Sequence, residues 1–374
     1  MKKKIFFVTG TRADYGKIKS IIQSLEKKFK VYIFITGMHL MSKYGNTYEQ
    51  IENECTKSTI IKFKNQTGHQ MLDKIISNTI GGISKHLKKV KPNLVFVHGD
   101  RVEAFASATA ASVNNFLVAH IEGGELSGTI DEHLRHAISK LSHIHFVSNQ
   151  EAKKRLVSMG EKKNNIFKVG TPDYDLMKSK FLPRLEEAKK RYGIKFIDYS
   201  VVIYHSVTTD IKNLKNYTKI LFKSLLKSKF NYVVILPNND PGSDTIIKLI
   251  NKYFKKNKKF RILKSMRFEH FLTTLKNSEF IIGNSSAGIR EAPFFGIPTI
   301  NIGDRQFNRA KLKSIQNIPH EYEKILKSMI LVKDRKYKKT FHFGLGDSSK
   351  KIVKILSKKN FWMTPIQKKF TSID

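Results

Sequence analysis

The strongest constraint on the fold is a succession of short β-branched or aromatic runs, each closing on glycine or a small polar residue. They fall at residues 5–9, 31–36, 94–98, 117–121, 143–148 and 166–169, and then, after a break, at 200–205, 232–237, 261–263, 280–283 and 299–302. Runs this short, apolar on both faces and bounded by turn residues, are the pattern of strands covered on both sides in a parallel sheet. Helical stretches separate them. Residues 17–28 place Ile18, Ile21, Ile22 and Leu25 on one face, 102–113 are alanine-rich, and 131–141 carry Leu134, Ala137, Ile138 and Leu141. Strand–helix alternation predicts βα units and doubly wound sheets.

The alternation restarts after residues 172–194, where LPRLEEAKKRY (182–192) reads as an exposed charged helix between two sheets. At 374 residues the chain is about two and a half times a ~150-residue domain. The expected division is a Rossmann-like domain over 1–172, a second over 173–348, and a helix within 349–374 that crosses back to the first. Two such domains facing a central cleft bind ligands at the carboxyl ends of their strands.

Charge and cysteine usage narrow the function classes. One cysteine, Cys55, excludes an intramolecular disulfide and an all-cysteine zinc site, and fits a reducing cytoplasm. The apolar run at 5–9 is too short for the core of a signal peptide, and no stretch approaches the ~18 apolar residues of a membrane span. A cytoplasmic enzyme without membrane insertion is expected. With 69 Lys+Arg against 31 Asp+Glu, the net charge is +38, a balance that attracts polyanions. The lysines recur along almost the whole chain, with no basic arm, RNA-binding aromatic signature or zinc-finger spacing. A solvated lysine surface with no nucleic-acid partner is the primary reading, and a polyanion-binding module is the competing class.

Polar residues gather where the predicted strands end. The first turn, TGTRADYGK (9–17), offers Gly10 for a tight bend, helix amides for an anion and Arg12 for a phosphate. The third run ends in VHGDR (97–101), with Asp100 at the tip and Glu103 close behind. The densest segment, residues 119–145, packs Glu122, Glu125, Asp131 and Glu132 with His120, His133 and His136 around three glycines. Thr129 to Glu132 has capping-box spacing, which accounts for part of it and leaves Glu122 and Glu125 unexplained. His133 with His136, or His143 with His145, lack the partners that complete a zinc or di-iron pattern, so no metal is expected. In the second half, His205 closes a strand, and GNSSAGIRE (283–291) opens a helix with small residues suited to a phosphate.

Taken in order, TGTRADYGK (9–17), TGMHLMSKYGNTY (36–48), VHGDR (97–101), HIEGGELSGTIDEHLRHAISKLSHIH (120–145), PNND (237–240), IGNSSAGIREAP (282–293) and IGDRQFNR (302–309) resemble the UDP-N-acetylglucosamine 2-epimerases, on the glycosyltransferase-B-like fold. Within that family the likeness is greatest to the hydrolysing bacterial branch that feeds sialic acid synthesis. The resemblance implies anti elimination of UDP across sugar carbons 1 and 2, through 2-acetamidoglucal, followed by hydration to N-acetylmannosamine. It assigns acid–base roles to Asp100, Glu122 and Asp131, with His205 at the departing phosphate. Arg12, Ser285, Ser286 and Glu291 match nucleotide-holding positions, and Gly10, His39, Arg101, Asn239, Arg267 and Gly288 complete the expected UDP-sugar contacts. No cofactor is implied, and a homodimer or homotetramer is. Ser206 follows His205 where the family often has proline. A sister branch acts on UDP- or GDP-N,N'-diacetylbacillosamine in legionaminic acid synthesis with the same motifs, and a non-hydrolysing branch keeps UDP on the sugar.

Overall fold

The computed structural model describes residues 2–67, 71–128, 130–178, 182–306, 309–369 and 371. It divides into two compact units. The first comprises Met1–Glu125, Asp131–Lys180 and His342–Asp374, and the second Leu126–Ile130 and Phe181–Phe341.

The first unit is built on strands β1 (Lys4–Thr9), β2 (Lys30–Ile35), β3 (Thr59–Lys62), β4 (Leu94–His98), β5 (Val118–Ile121), β6 (Ile144–Val147) and β7 (Ile166–Lys168). They form one sheet in the order β3-β2-β1-β4-β5-β6-β7, and every pairing is parallel. Successive side chains in a strand point to opposite faces, so a strand covered on both sides feeds two cores. Ile5, Phe7, Phe96 and Phe146 lie in one core with Ile18, Ile22 and Leu25, while Phe6, Val8, Val95 and Val97 lie in the other with Ile83, Leu87 and Ala108. In the first core, Phe7 stacks on Phe96 at 4.7 Å and Phe96 on Phe146 at 5.7 Å, a row of rings running across the sheet.

The helix Arg12–Leu25 starts five residues before the predicted position 17. Thr11 caps it by accepting the Asp14 amide at 3.1 Å, and Gly16 is carried inside the helix instead of breaking it. The helix Ser348–Leu356 packs on the same side of the unit, with Ile352 and Leu356 in the core beside Leu25.

The second unit repeats the plan with β8 (Ser200–Ile203), β9 (Tyr232–Ile235), β10 (Phe260–Leu263), β11 (Ile281–Gly283), β12 (Thr299–Ile302) and β13 (Ile315–Ile318), ordered β10-β9-β8-β11-β12-β13 and all parallel. Phe254 stacks on Phe260 at 4.1 Å in its core. Gly283 sits at φ 136°, where an added Cβ would lie 2.0 Å from the Ile203 carbonyl oxygen, so β11 approaches β8 there only because the residue is glycine. Both sheets are doubly wound, as the strand–helix alternation predicts.

Two strands, β3 and β13, escaped the sequence reading because each is an edge strand with no fully buried residue. Among the described residues, no helix is long and apolar enough to cross a membrane.

Candidate active site

In the first unit the polar residues collect in the loops after β1, β4 and β5, three neighbouring strands. β4 ends at His98, and Gly99 at φ 71° turns the chain so that Asp100 follows the tip. β5 ends at Ile121, and Glu122 comes next at φ 67°. A left-handed backbone at a non-glycine residue costs on the order of 1 kcal/mol or more and tends to occur at functional sites.

One arginine reaches both tips. Arg135, 2% exposed, reaches out of the helix Ile130–Leu141. Its Nη1 donates to the Glu122 carbonyl at 2.8 Å, and its Nη2 pairs with the Asp100 carboxylate. Asp131 stands in the first turn of the same helix, half-buried. Arg135 thus links Asp100 to the backbone of Glu122.

The Glu122 carboxylate is buried. Its Oε1 lies 3.2 Å from His98 Nε2 and accepts from the Thr171 hydroxyl at 2.9 Å. His98 Nδ1 contacts Asp14 Oδ1 at 2.6 Å, and Asp14 Oδ2 accepts the Gly10 amide at 3.2 Å. Burial alone would depress the His98 imidazole, but Glu122 and Asp14 together lift it to about 9. His120, one strand away, is the opposite case. Burial pushes it down to about 3, and as a neutral ring it donates from Nε2 to the Gly99 carbonyl at 2.7 Å.

Arg12 is half-buried at the start of the first helix, and Arg101 Nε reaches Glu103 Oε2 at 3.3 Å. Glu103 is itself buried against the first turn: a Cβ on Gly10 would lie 3.1 Å from its Cδ, and one on Gly37 2.7 Å from its Oε1. His39 is fully enclosed, with its ring nitrogens on the hydroxyls of Thr9 (3.1 Å) and Thr47 (2.6 Å), and burial lowers it to about 4.

Three of the four histidines considered for metal binding have structural partners. His136 meets Glu132 at 2.9 Å, His145 meets Glu161 at 3.0 Å, and His143 reaches the Ile366 carbonyl at 2.8 Å. Among the described residues no cluster of three histidine, cysteine or acidic side chains is arranged to hold a metal ion. Thr129, the start of the expected capping box, lies outside the described residues, as do Phe307 and Asn308 of the last motif.

In the second unit, His205 follows β8 and is tied to the tip of β11. Its N–H donates to Asn284 Oδ1 at 2.7 Å, and Asn284 Nδ2 donates to its carbonyl at 2.9 Å. The His205 Nδ1 accepts the Asn238 amide at 3.3 Å, which leaves the ring hydrogen on Nε2. Ser285 caps the short helix Ser286–Ile289 through the Ala287 amide at 3.3 Å. Gly288 admits Thr299, whose Cγ2 would lie 2.5 Å from an added Cβ, and Glu291 is buried just beyond. Asn239 lies in the loop after β9, and the Arg267 amide donates to the Tyr192 hydroxyl at 2.8 Å ahead of the helix Phe268–Lys276.

The structure therefore joins Asp100 and Glu122 through Arg135 on one unit, with Asp131 one turn ahead of Arg135 on its helix, and brings His205 together with the Asn284–Ser285 turn on the other. Sequence reasoning passed over His98, Asp14, Arg135, Thr171 and Asn284. For His98 and Asp14 the signal was their place in the same strand-tip motifs as the chosen residues.

Known proteins carry the same plan. The chain is 40% identical to the UDP-N-acetylglucosamine 2-epimerase of Neisseria meningitidis serogroup B over 378 aligned positions, covering all of both chains. It is 35% identical to the UDP-N,N'-diacetylbacillosamine 2-epimerase (hydrolyzing) of Legionella pneumophila, across 95% of this chain and 96% of that one. Its fold is similar to a crystal structure of UDP-GlcNAc 2-epimerase from Neisseria meningitidis bound to UDP-GlcNAc, with a TM-score of 0.80 at 21% identity, covering 94% of this chain and 99% of the other. The family model for UDP-N-acetylglucosamine 2-epimerase matches residues 23–357, and the chain belongs to that family.

Proposed function

We propose that the chain is a hydrolysing UDP-N-acetylglucosamine 2-epimerase, converting UDP-N-acetylglucosamine and water into N-acetylmannosamine and UDP for sialic acid synthesis. The observation that carries this reading is the Arg135 link, which fixes Asp100 by its carboxylate and Glu122 by its backbone carbonyl at adjacent strand tips. The reaction needs several ionisable groups near one sugar. The proton on carbon 2 is weakly acidic and must be removed, positive charge growing at carbon 1 must be countered, and the glycal must be protonated and hydrated. We assign these tasks to Asp100, Glu122 and Asp131 as a set.

His205 faces the departing phosphate in this reading and donates from Nε2. Arg12, Arg101, Asn239, Arg267, Ser285, Ser286, Gly288 and Glu291 serve the nucleotide, with Gly10 and His39 shaping the first turn. A relative 35% identical that is described as hydrolysing supports release of the free sugar over return of UDP. A homo-oligomer and a reducing cytoplasm, which suits the buried free thiol of Cys55, belong to the same proposal.

The test is incubation with UDP-N-acetylglucosamine in deuterated water, followed by proton NMR. N-acetylmannosamine deuterated at carbon 2, together with free UDP, is the expected result. UDP-N-acetylmannosamine would assign the chain to the non-hydrolysing branch. Turnover of only the diacetylbacillosamine nucleotide would move it to the sister branch. No turnover of any sugar nucleotide, with salt-sensitive polyanion binding, would refute the enzyme reading.

A further inference from the structure

We propose that Asp14, His98 and Glu122 form a single array in which His98, oriented by Asp14, is a positioning residue that keeps the Glu122 carboxylate ionised and aimed. The inference rests on the reading of Glu122 as an acid–base group of the 2-epimerase reaction, and adds to it the device that sets the state of that group.

The geometry fixes the protonation pattern. His98 Nδ1 is 2.6 Å from Asp14 Oδ1 and Nε2 is 3.2 Å from Glu122 Oε1, so both ring nitrogens face carboxylate oxygens. A neutral imidazole has one nitrogen that only accepts, and that lone pair would oppose a carboxylate. The imidazolium presents positive charge to both: Nδ1 is hydrogen-bonded to Asp14, while Nε2 meets Glu122 as an ion-pair contact without hydrogen-bond geometry. His98 and Glu122 are 9% and 4% exposed, a setting that drives a carboxyl toward its neutral form unless a fixed positive charge stands beside it. Thr171 is not a sufficient substitute, because its hydroxyl has one hydrogen to give and faces both Glu122 and Asp173.

Three other charged or titratable groups nearby are accounted for. His120 is held neutral by burial, Arg135 is engaged with Asp100 and the Glu122 carbonyl, and Lys17 lies 3.9 Å from Asp173. The ordering extends to the first turn. Asp14 also holds the Gly10 amide at 3.2 Å and sits in the first turn of the helix capped by Thr11. The turn after β1 and the acid after β5 are thereby coupled through the last residue of β4.

The array is tested by two readouts on the full-length chain. Histidine side-chain 15N NMR, with the His98 signals assigned by their loss in His98→Gln, follows its charge without requiring turnover. In the wild type His98 is expected to remain an imidazolium past about pH 8, and in Asp14→Asn to titrate at least about one pH unit lower. The pH profile of kcat/KM is the second readout. Removing the imidazolium raises the Glu122 pKa, so in His98→Gln the acidic limb should move up by about one unit, with kcat down by roughly 30-fold or more and KM within about threefold.

A merely packed His98 would lower activity without moving the limb. A His98 that titrates near its ordinary value in the wild type, or a profile in His98→Gln that superimposes on the wild type, overturns the array. If the wild type releases no UDP from UDP-N-acetylglucosamine, the proposed function falls, and the histidine titration alone decides the array. Should His98→Gln fail to fold by circular dichroism, Asp14→Asn carries both measurements, with His98 assigned by two-bond correlations.

Discussion

Replacing Lys368 by methionine tests how the helix bearing Arg135 and Asp131 is held from its far end. The Lys368 ammonium contacts the carbonyls of Lys140 and Ser142 at 2.7 Å each and of Ser139 at 3.2 Å, and Glu161 Oε2 at 2.6 Å. Three hydrogens serve four oxygens, so the long Ser139 contact is shared. Positive charge at a helix C-terminus and hydrogen bonds from a charged donor are each favourable, at about 1 kcal/mol or more. Against this stands the cost of immobilising a lysine, up to about 2 kcal/mol.

Glu161 is not orphaned in the variant, since Lys140 at 2.9 Å and His145 at 3.0 Å remain, so the full penalty for an unpaired buried charge does not apply. The net expectation is a loss of about 2 kcal/mol in the first unit, or a fall of roughly 4–8 °C in its melting temperature. The protein has one tryptophan, Trp362, packed on Phe29 within that unit, so its fluorescence during urea unfolding reports the relevant transition. Lys368→Arg should recover most of the loss. A Lys368→Met midpoint equivalent to within about 0.5 kcal/mol of the wild type would refute the reasoning.

Asp100→Asn and Glu122→Gln should each lower turnover by about 10²-fold or more while calorimetry still detects UDP binding, and near-normal turnover in either would reassign the chemistry. Acid should destabilise the fold below neutrality. His39 at about 4 and His120 at about 3 favour their neutral forms when folded, so the stability they give is present above about 6.5 and lost as pH falls below it, whereas His98 at about 9 gains as pH falls to 6.5. From pH 7.5 to 5 the two losses of about 2 kcal/mol each outweigh a gain of about 1.4, and urea midpoints that do not fall across that window would contradict the assignment. Gly283→Ala should cost about 3 kcal/mol or more, because the new Cβ meets the Ile203 carbonyl at a φ of 136°, and circular dichroism melts unchanged from the wild type would show that β8 and β11 can separate.

The strands were legible because most are covered on both faces, and a run such as KIFFVT has no other reading once glycine ends it. β3 and β13 were not, because these two edge strands hold no fully buried residue and their sequences, TIIK and IQNI, lack the long apolar run that marks the others. The same difference governs the site. That Asp100 and Glu122 follow strand tips is a one-dimensional fact. That Arg135 joins them is not, because an arginine inside an amphipathic helix ordinarily points to solvent, and only the packing of that helix turns it inward. The Asp14–His98–Glu122 array was hidden for a stronger reason. Its members are separated by 84 and 24 positions, and they meet because β1, β4 and β5 are neighbours and β4 pairs with β5 in the register His98↔Ile121. A shift of one residue in that register would move the Glu122 backbone along the sheet by about 3.3 Å and send its side chain to the other face, breaking the contact with His98. The chemistry of the site is therefore written in sheet order and register, which depend on the whole first unit, whereas the motifs record only where each strand stops.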